Sequence, residues 1–160
     1  MNRIDWLDAA LDTLEDEGIE KVKVERLARD LGVTKGSFYW HFKDRSDLLE
    51  ALLDYYYLTC TAPVTDAIRK LDLPADQLLE EVERIVENMG MHTFEKAIYC
   101  WAQRDPMAGK HLNENRDRRM AFVLDLFRKA GFAGDEAEAR ARMFVYRQMG
   151  RSLRGSACVS

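Results

Sequence analysis

The chain has 160 residues, a formal net charge of −4, three prolines and three cysteines, with 47% of its residues hydrophobic and 32% charged. That length suits one compact unit, or a small head sharing a core with a larger body, and the apolar content excludes disorder. No apolar run is long enough to span a bilayer and no basic-then-apolar leader is found, so a cytoplasmic protein with no membrane partner is expected.

Apolar residues recur at helical spacing and strand-like alternation is lacking, so the expected fold class is all-α. The first helix is predicted from about Arg3 to Glu17, with Ile4, Leu7, Leu11 and Leu14 on one stripe and Gly18 ending it. A short second helix carries Val24, Leu27, Ala28 and Leu31 at i, i+3, i+4 and i+7, and Gly32 stops it by taking positive φ. Thr34 is placed to cap a third helix running to Phe42. In that helix Val33, Phe38 and Phe42 are the inward anchors, which leaves Thr34, Lys35, Ser37, Tyr39, Trp40 and His41 outward. Helix, tight turn, helix is the plan of a helix-turn-helix module. Between positions 21 and 45 lie seven basic residues against three acidic ones, a local charge of +4 on an otherwise acidic chain.

Asp44 and Asp47 form a capping pair at the start of a long connector helix that is apolar nearly all round. Pro63 falls inside that pattern, which predicts a kink or a break near 59–62. After Pro74 a strong stripe runs from Ala75 to about Asn88, Gly90 interrupts it, and a further helix carries Phe94, Ala97, Ile98 and Trp101. The last two helices are predicted from Met107 or His111 to Ala130 and from Asp135 to about Leu153. The first of them carries two apolar stripes, which calls for two packing partners: its own body and a symmetry mate, or an intrachain bundle alone.

The ordered run Leu27-Ala28, Gly32 to Phe42, Arg45 and Asp47-Leu48-Leu49 resembles the N-terminal signature of the TetR (tetracycline-repressor) family. The resemblance implies a three-helix DNA-binding domain, here 1–45, fused to a helical effector-binding and dimerisation domain, here 46–160. It further implies a one-component regulator, usually a repressor, that binds a pseudo-palindromic operator as a homodimer and is released by a small molecule. Lys35 can donate to guanine O6 and N7, and the Tyr39 hydroxyl can bond phosphate. Carried over residue by residue, the family pattern puts Lys35, Gly36 and Trp40 nearest base edges and Ser37, Tyr39, His41 and Arg45 on phosphates, with Thr34 and Lys43 on the same surface. Trp40 has a second reading, as a half-buried ring propping the helix. Gly36, costly in a helix interior, suits close approach of the DNA or is a tolerated residue near a helix start. Lys23 stands where the family usually has a capping threonine or serine; it cannot cap, but it can reach phosphate.

A pocket, if formed, is expected between the connector and the helices of 89–101, lined by Tyr55, Tyr56, Cys60, Val86, Met89, Met91, Phe94, Ile98, Tyr99 and Trp101, with His92 or Gln103 as polar orienting groups. Plain core is the alternative for each of these residues. Such a pocket calls for a hydrophobic or aromatic effector. A dimer contact is expected at Phe122, Leu126, Ala137, Ala141, Phe144 and Gln148. The cysteines, far apart and without C-x-x-C spacing, are expected to be reduced. The three histidines lack metal-ligand spacing and no phosphate-cradling glycine loop occurs, so no catalytic residue, metal or cofactor is expected. The competing class is an all-helical protein-interaction module that keeps the helix-turn-helix as scaffold without specific DNA binding.

Overall fold

The computed structural model describes the backbone of residues 1–90 and 92–152 and the side chains of 1–90 and 94–151. Met91, the His92 side chain, Leu153 and Cys158 lie outside the described residues. The described chain is helical throughout: α1 (Arg3–Glu17), a 3-10 turn (Ile19–Lys21), α2 (Val24–Asp30), α3 (Lys35–Tyr39), α4 (Arg45–Tyr56), a π segment (Tyr57–Thr61), α5 (Ala62–Arg69), α6 (Ala75–Met89), α7 (His92–Ala102), α8 (Pro106–Lys129) and α9 (Gly134–Ser152). Among the described residues no helix is long and apolar enough to cross a membrane.

Helix α1 begins with a capping box, in which the Asn2 side chain accepts from the Ile4 and Asp5 N–H groups and Asp5 accepts from the Asn2 N–H. Its buried face carries Trp6, Leu7, Ala10, Leu11 and Leu14. Ile4, expected on that face, is 52% exposed, because the core begins a turn later with Trp6. Helix α2 ends in a Schellman motif: Gly32 sits at φ +68°, its N–H reaches the Arg29 carbonyl, and the Val33 N–H reaches the Ala28 carbonyl. Lys23 holds the N-cap position of α2 and makes no capping bond. Thr34 occupies the N-cap position of α3 with extended backbone, but its hydroxyl makes no capping bond, contrary to expectation.

Helix α4 starts at Asp44, whose carboxylate accepts from the Asp47 N–H while Asp47 accepts from the Lys43 N–H. The disturbance expected before Pro63 is a π turn, so α4 passes through 57–61 into α5 and the proline falls in the first turn of α5. The π turn accommodates the missing donor: hydrogen bonds there reach one residue further back, as from the Ala62 N–H to the Tyr57 carbonyl. Pro106 likewise opens α8 behind Asp105, whose carboxylate accepts from the Met107 and Ala108 N–H groups.

Two clusters of buried side chains hold the molecule. The first joins α1 to α4 with Phe94, Ile98 and Trp101 of α7 and Ala108 of α8, so it runs across residue 45. The second lies between α5, α6, α8 and α9 around Val64, Ile68, Leu79, Val82, Val123, Leu126 and Val145. Full burial of one such large side chain contributes about 2–3 kcal/mol. Movement of α7 or the α4–π segment therefore reaches the N-terminal helices through shared packing.

Candidate nucleic-acid interface and effector cavity

The short helix α3 is fixed from beneath by aromatic packing. Phe38 is fully buried, with its ring edge-on to Trp6 at 5.3 Å and stacked with Phe42 at 5.3 Å. The Arg3 guanidinium covers the Phe42 ring at 4.9 Å, and Val33 packs half-buried against the same cluster. The opposite face is open. Thr34, Lys35, Gly36, Tyr39 and Trp40 are exposed, while Ser37 and His41 are half-buried. At 88% exposure Trp40 props nothing, which removes its alternative reading as a buried strut. Tyr39 is 61% exposed with its ring edge-on to Phe38, so its hydroxyl is carried outward on a fixed base.

The surrounding cations fall into two groups. Lys21, Lys23 and Lys43 are exposed and form no salt bridge with described residues. The others are already engaged. Arg26 takes both carboxylate oxygens of Glu17 and also reaches Asp30, which ties α2 to α1. Those bonds hold the Glu17 carboxyl below its ordinary range and push the Arg26 guanidinium up. The Lys35 ammonium donates to Glu25 at 2.7 Å, and that bond lowers the Glu25 carboxyl. Arg45, expected on phosphate, instead donates to the Val22 carbonyl at 2.6 Å and the Ile19 carbonyl at 2.8 Å. It satisfies the carbonyls of the 3-10 turn, which has no other helix to receive them. At Gly36 an added Cβ meets only the Thr34 hydroxyl at 3.5 Å, so the fold itself has room for a side chain there.

A second feature lies in the C-terminal half. The Arg119 guanidinium is buried where α8 meets α4, the π segment and α7. It donates through Nε and Nη2 to the Thr61 hydroxyl at 3.2 and 3.1 Å, and through Nη2 to the Tyr56 hydroxyl at 3.3 Å. It is ion-paired with Glu95, to which the Tyr56 hydroxyl donates at 2.8 Å. Burial pushes the Tyr56 phenol well above its ordinary value, and Phe94 stacks on its ring at 6.0 Å. Two cavities flank this network. The larger, about 50 Å³, is bounded by Cys60, Thr61, Val64, Val82, Val86, Met89, Phe122 and Val123. The smaller, about 20 Å³, is bounded by Tyr56, Tyr99, Leu112, Asn115 and Met149.

Of the expected pocket residues, Cys60, Val86 and Met89 border the larger cavity and Tyr56 and Tyr99 the smaller one. Four stand elsewhere. Tyr55 turns to α1, donating to Asp8 at 2.7 Å, a bond that pushes its phenol up to about 12. Phe94, Ile98 and Trp101 pack into the first core, where Ile98 also borders a separate small void under α4. Helical spacing placed all four near the connector but did not resolve which side of it they face. Arg119, Glu95 and Asn115 were missed, because the run Arg116 to Arg119 looks solvated. The available signal was periodic: Asn115, Arg119, Phe122 and Leu126 share one face of α8.

The residues expected at a dimer contact also need correction. Leu126, Ala137, Ala141 and Phe144 are buried within one chain, Phe122 lies half-buried under Arg69, and Gln148 borders the larger cavity. Of the two apolar stripes on α8, Val123 and Leu126 are buried by intrachain packing, while Met120, Phe122, Leu124 and Phe127 are half-buried. On α9 the exposed large apolar side chains are Met143 at 74% and Tyr146 at 49%, beside a groove that reaches Met120 and Leu124. Cys60 is a free, buried thiol pushed up to about 11 by burial.

A sequence profile of bacterial regulatory proteins of the tetR family matches residues 7–52. Over 46 residues the chain is 41% identical to the HTH-type transcriptional regulator AcrR of Shigella flexneri, covering 29% of this chain and 21% of that protein. Over 52 residues it is 40% identical to the class D tetracycline repressor of Escherichia coli, covering 32% of this chain and 24% of that protein. The matched stretch thus spans about a quarter or less of the length of these relatives. In fold, the chain is similar to a TetR-like transcriptional regulator from Rhodococcus sp. RHA1, with a TM-score of 0.77 at 17% identity over 94% of this chain and 81% of that one. It is also similar to BioQ crystallised with its double-stranded DNA operator, with a TM-score of 0.57 at 23% identity over 96% and 86% of the two chains. Residues 7–52 thus match the N-terminal domain of the tetR family of bacterial regulatory proteins, and nearly the whole chain is similar in fold to a TetR-like regulator.

Proposed function

We propose that the protein is a transcriptional regulator, acting as a repressor, that binds a pseudo-palindromic duplex as a homodimer and is released by a small effector held beside Arg119. The observation that carries the reading is the open face of α3. Its exposed Lys35, Gly36, Tyr39 and Trp40 stand on a rigid aromatic base, flanked by the uncommitted Lys21, Lys23 and Lys43. A helix presented in this way enters a major groove, with phosphates positioning it and base edges selecting the sequence. Lys35 and Trp40 face the bases; Ser37, Tyr39, His41, Thr34, Lys23 and Lys43 face the backbone. Arg45 serves from behind, by anchoring the turn that carries Lys21 and Lys23. Because Lys35 is paired with Glu25 in the free protein, binding exchanges that carboxylate for a base or phosphate acceptor.

The homodimer forms across the exposed strip of Met143 and Tyr146 on α9, next to Met120 and Leu124 on α8. A two-fold contact there places two copies of α3 on one duplex, with half-sites about one DNA turn apart or somewhat more. Selection from a random duplex pool tests the reading. The expected product is an inverted repeat bound with affinity that falls steeply as salt rises. Enrichment of no sequence, together with salt-independent or absent duplex affinity, would instead favour the scaffold module.

A further inference from the structure

Arg119 is largely shielded, its side chain 20% exposed, and DNA recognition makes no use of it. It joins four elements through Tyr56 of α4, Thr61 of the π segment, Glu95 of α7 and its own α8. An ion pair at such a depth contributes little to stability, since desolvation of both charges offsets their attraction. Hydrophobic residues would fill the same space at less cost, so a buried pair that borders a cavity is a candidate for ligand recognition. The Arg119 Nη1 group makes none of the hydrogen bonds described above, and both cavities open onto the side chain. Beyond it the larger cavity is walled by Val64, Val82, Val86, Met89, Phe122 and Val123. Asn115, one turn before Arg119, borders the smaller cavity instead, and its Oδ1 is an acceptor that takes no part in holding a carboxylate. Glu95 lines both cavities beside Arg119, so the site is a paired guanidinium at the mouth of a short apolar slot.

We infer that this cavity binds a small carboxylic acid with a short apolar chain, the carboxylate taking the Nη1 edge of Arg119 and the chain filling the slot towards α6. With Nε and Nη2 engaged by Thr61, Tyr56 and Glu95, Nη1 is the nitrogen left to donate a charge-assisted hydrogen bond to a carboxylate. The inference rests on the regulator reading for its consequence but not for its binding. A second carboxylate on Arg119 competes with Glu95 for the same charge and repels it. Glu95 and Tyr56 are bonded to each other, so their shift is passed to α7 and α4, which pack on α1. The effector thus acts by partner exchange at a buried cation rather than by filling an apolar hole. This departs from the wholly hydrophobic or aromatic effector expected from sequence.

Calorimetric titration of the full chain with butanoate, hexanoate and octanoate, against 1-hexanol and hexylamine as matched neutral and cationic probes, tests the inference. At least one acid is expected to bind, with affinity about tenfold or more above that of the alcohol, and the amine not at all. Arg119→Met should abolish acid binding. Because that change strands Glu95, the paired variant Arg119→Met/Glu95→Gln and the cavity-filling Val86→Phe are measured alongside. Both are expected to fold, by circular dichroism, and to lose the acid. Equal affinity for acid and alcohol, binding of the amine, or undiminished acid binding in the paired variant overturns the inference, as does silence of all three acids. Duplex affinity measured on the same samples separates the two readings. Retained duplex binding with no acid binding sinks only the ligand; acid binding with no duplex affinity sinks only the regulator.

Discussion

At the scale of single residues, Gly36 separates fold from function. An added methyl meets nothing closer than the Thr34 hydroxyl at 3.5 Å, and alanine is the better helix former by about 0.5–1 kcal/mol. Gly36→Ala is therefore expected to leave thermal stability unchanged or slightly raised while weakening duplex binding, because the added Cβ stands between helix and groove. Stability and binding falling together would assign the glycine to the fold. Glu25 offers the converse case. It holds Lys35 at 2.7 Å and places a negative charge on the face proposed to meet DNA. Glu25→Gln should raise affinity for unrelated duplexes in anisotropy titrations more than for the selected one, since it removes repulsion without adding a base contact. Such residue roles were legible in sequence wherever side-chain direction followed from helical phase, as for Phe38 inward and Tyr39 outward. They were not legible where a long charged side chain folds back, as Arg45 does onto Ile19 and Val22.

At the scale of elements, α1 and α2 are tied by Glu17 and Arg26, and the tie has a pH signature. The Arg26 hydrogen bond depresses the Glu17 carboxyl below its ordinary 4.5. A depressed carboxyl contributes stability that is present above the unfolded value and lost as pH falls through the folded one. The stability difference between the wild type and Glu17→Gln, measured by denaturant unfolding, should be present near neutral pH and shrink as pH falls below the ordinary carboxylate range. A difference that does not change with pH removes the pair as its cause. Element boundaries were well marked in the sequence because they rest on local chemistry: Gly18 and Gly32 as stops, Asp44 with Asp47 as a start, Pro63 as an irregularity. The π turn itself was not predictable, since a proline inside a helical pattern permits a break, a kink or an inserted residue equally.

At the scale of the whole molecule, long-range packing decided what sequence could not. Two apolar stripes on α8 suggested a partner chain; Val123 and Leu126 are buried within the chain, while Met120 and Leu124 stay half-buried. Beside them on α9, Met143 and Tyr146 are exposed. Replacing both by glutamate should convert the dimer to a monomer in sedimentation equilibrium without loss of helix content, and should cost duplex binding by orders of magnitude because one half-site contact is lost. A variant that stays dimeric puts the two-fold elsewhere. The Arg119 cavity was likewise invisible, since a buried arginine in the run Arg116 to Arg119 differs from its solvated neighbours only in the helical face it occupies.

The claim on which the rest depends is that α3 reads DNA. Its most direct test is anisotropy titration of a selected duplex with the wild type, Lys35→Ala and Tyr39→Ala over a series of salt concentrations. Each variant is expected to bind more weakly, by about 1–3 kcal/mol for Lys35 if it contacts a guanine. Loss of the Tyr39 phosphate contact should weaken all duplexes about equally. The wild-type affinity should fall linearly on a log–log plot against salt. Unchanged affinity in both variants, or affinity indifferent to salt, would contradict it.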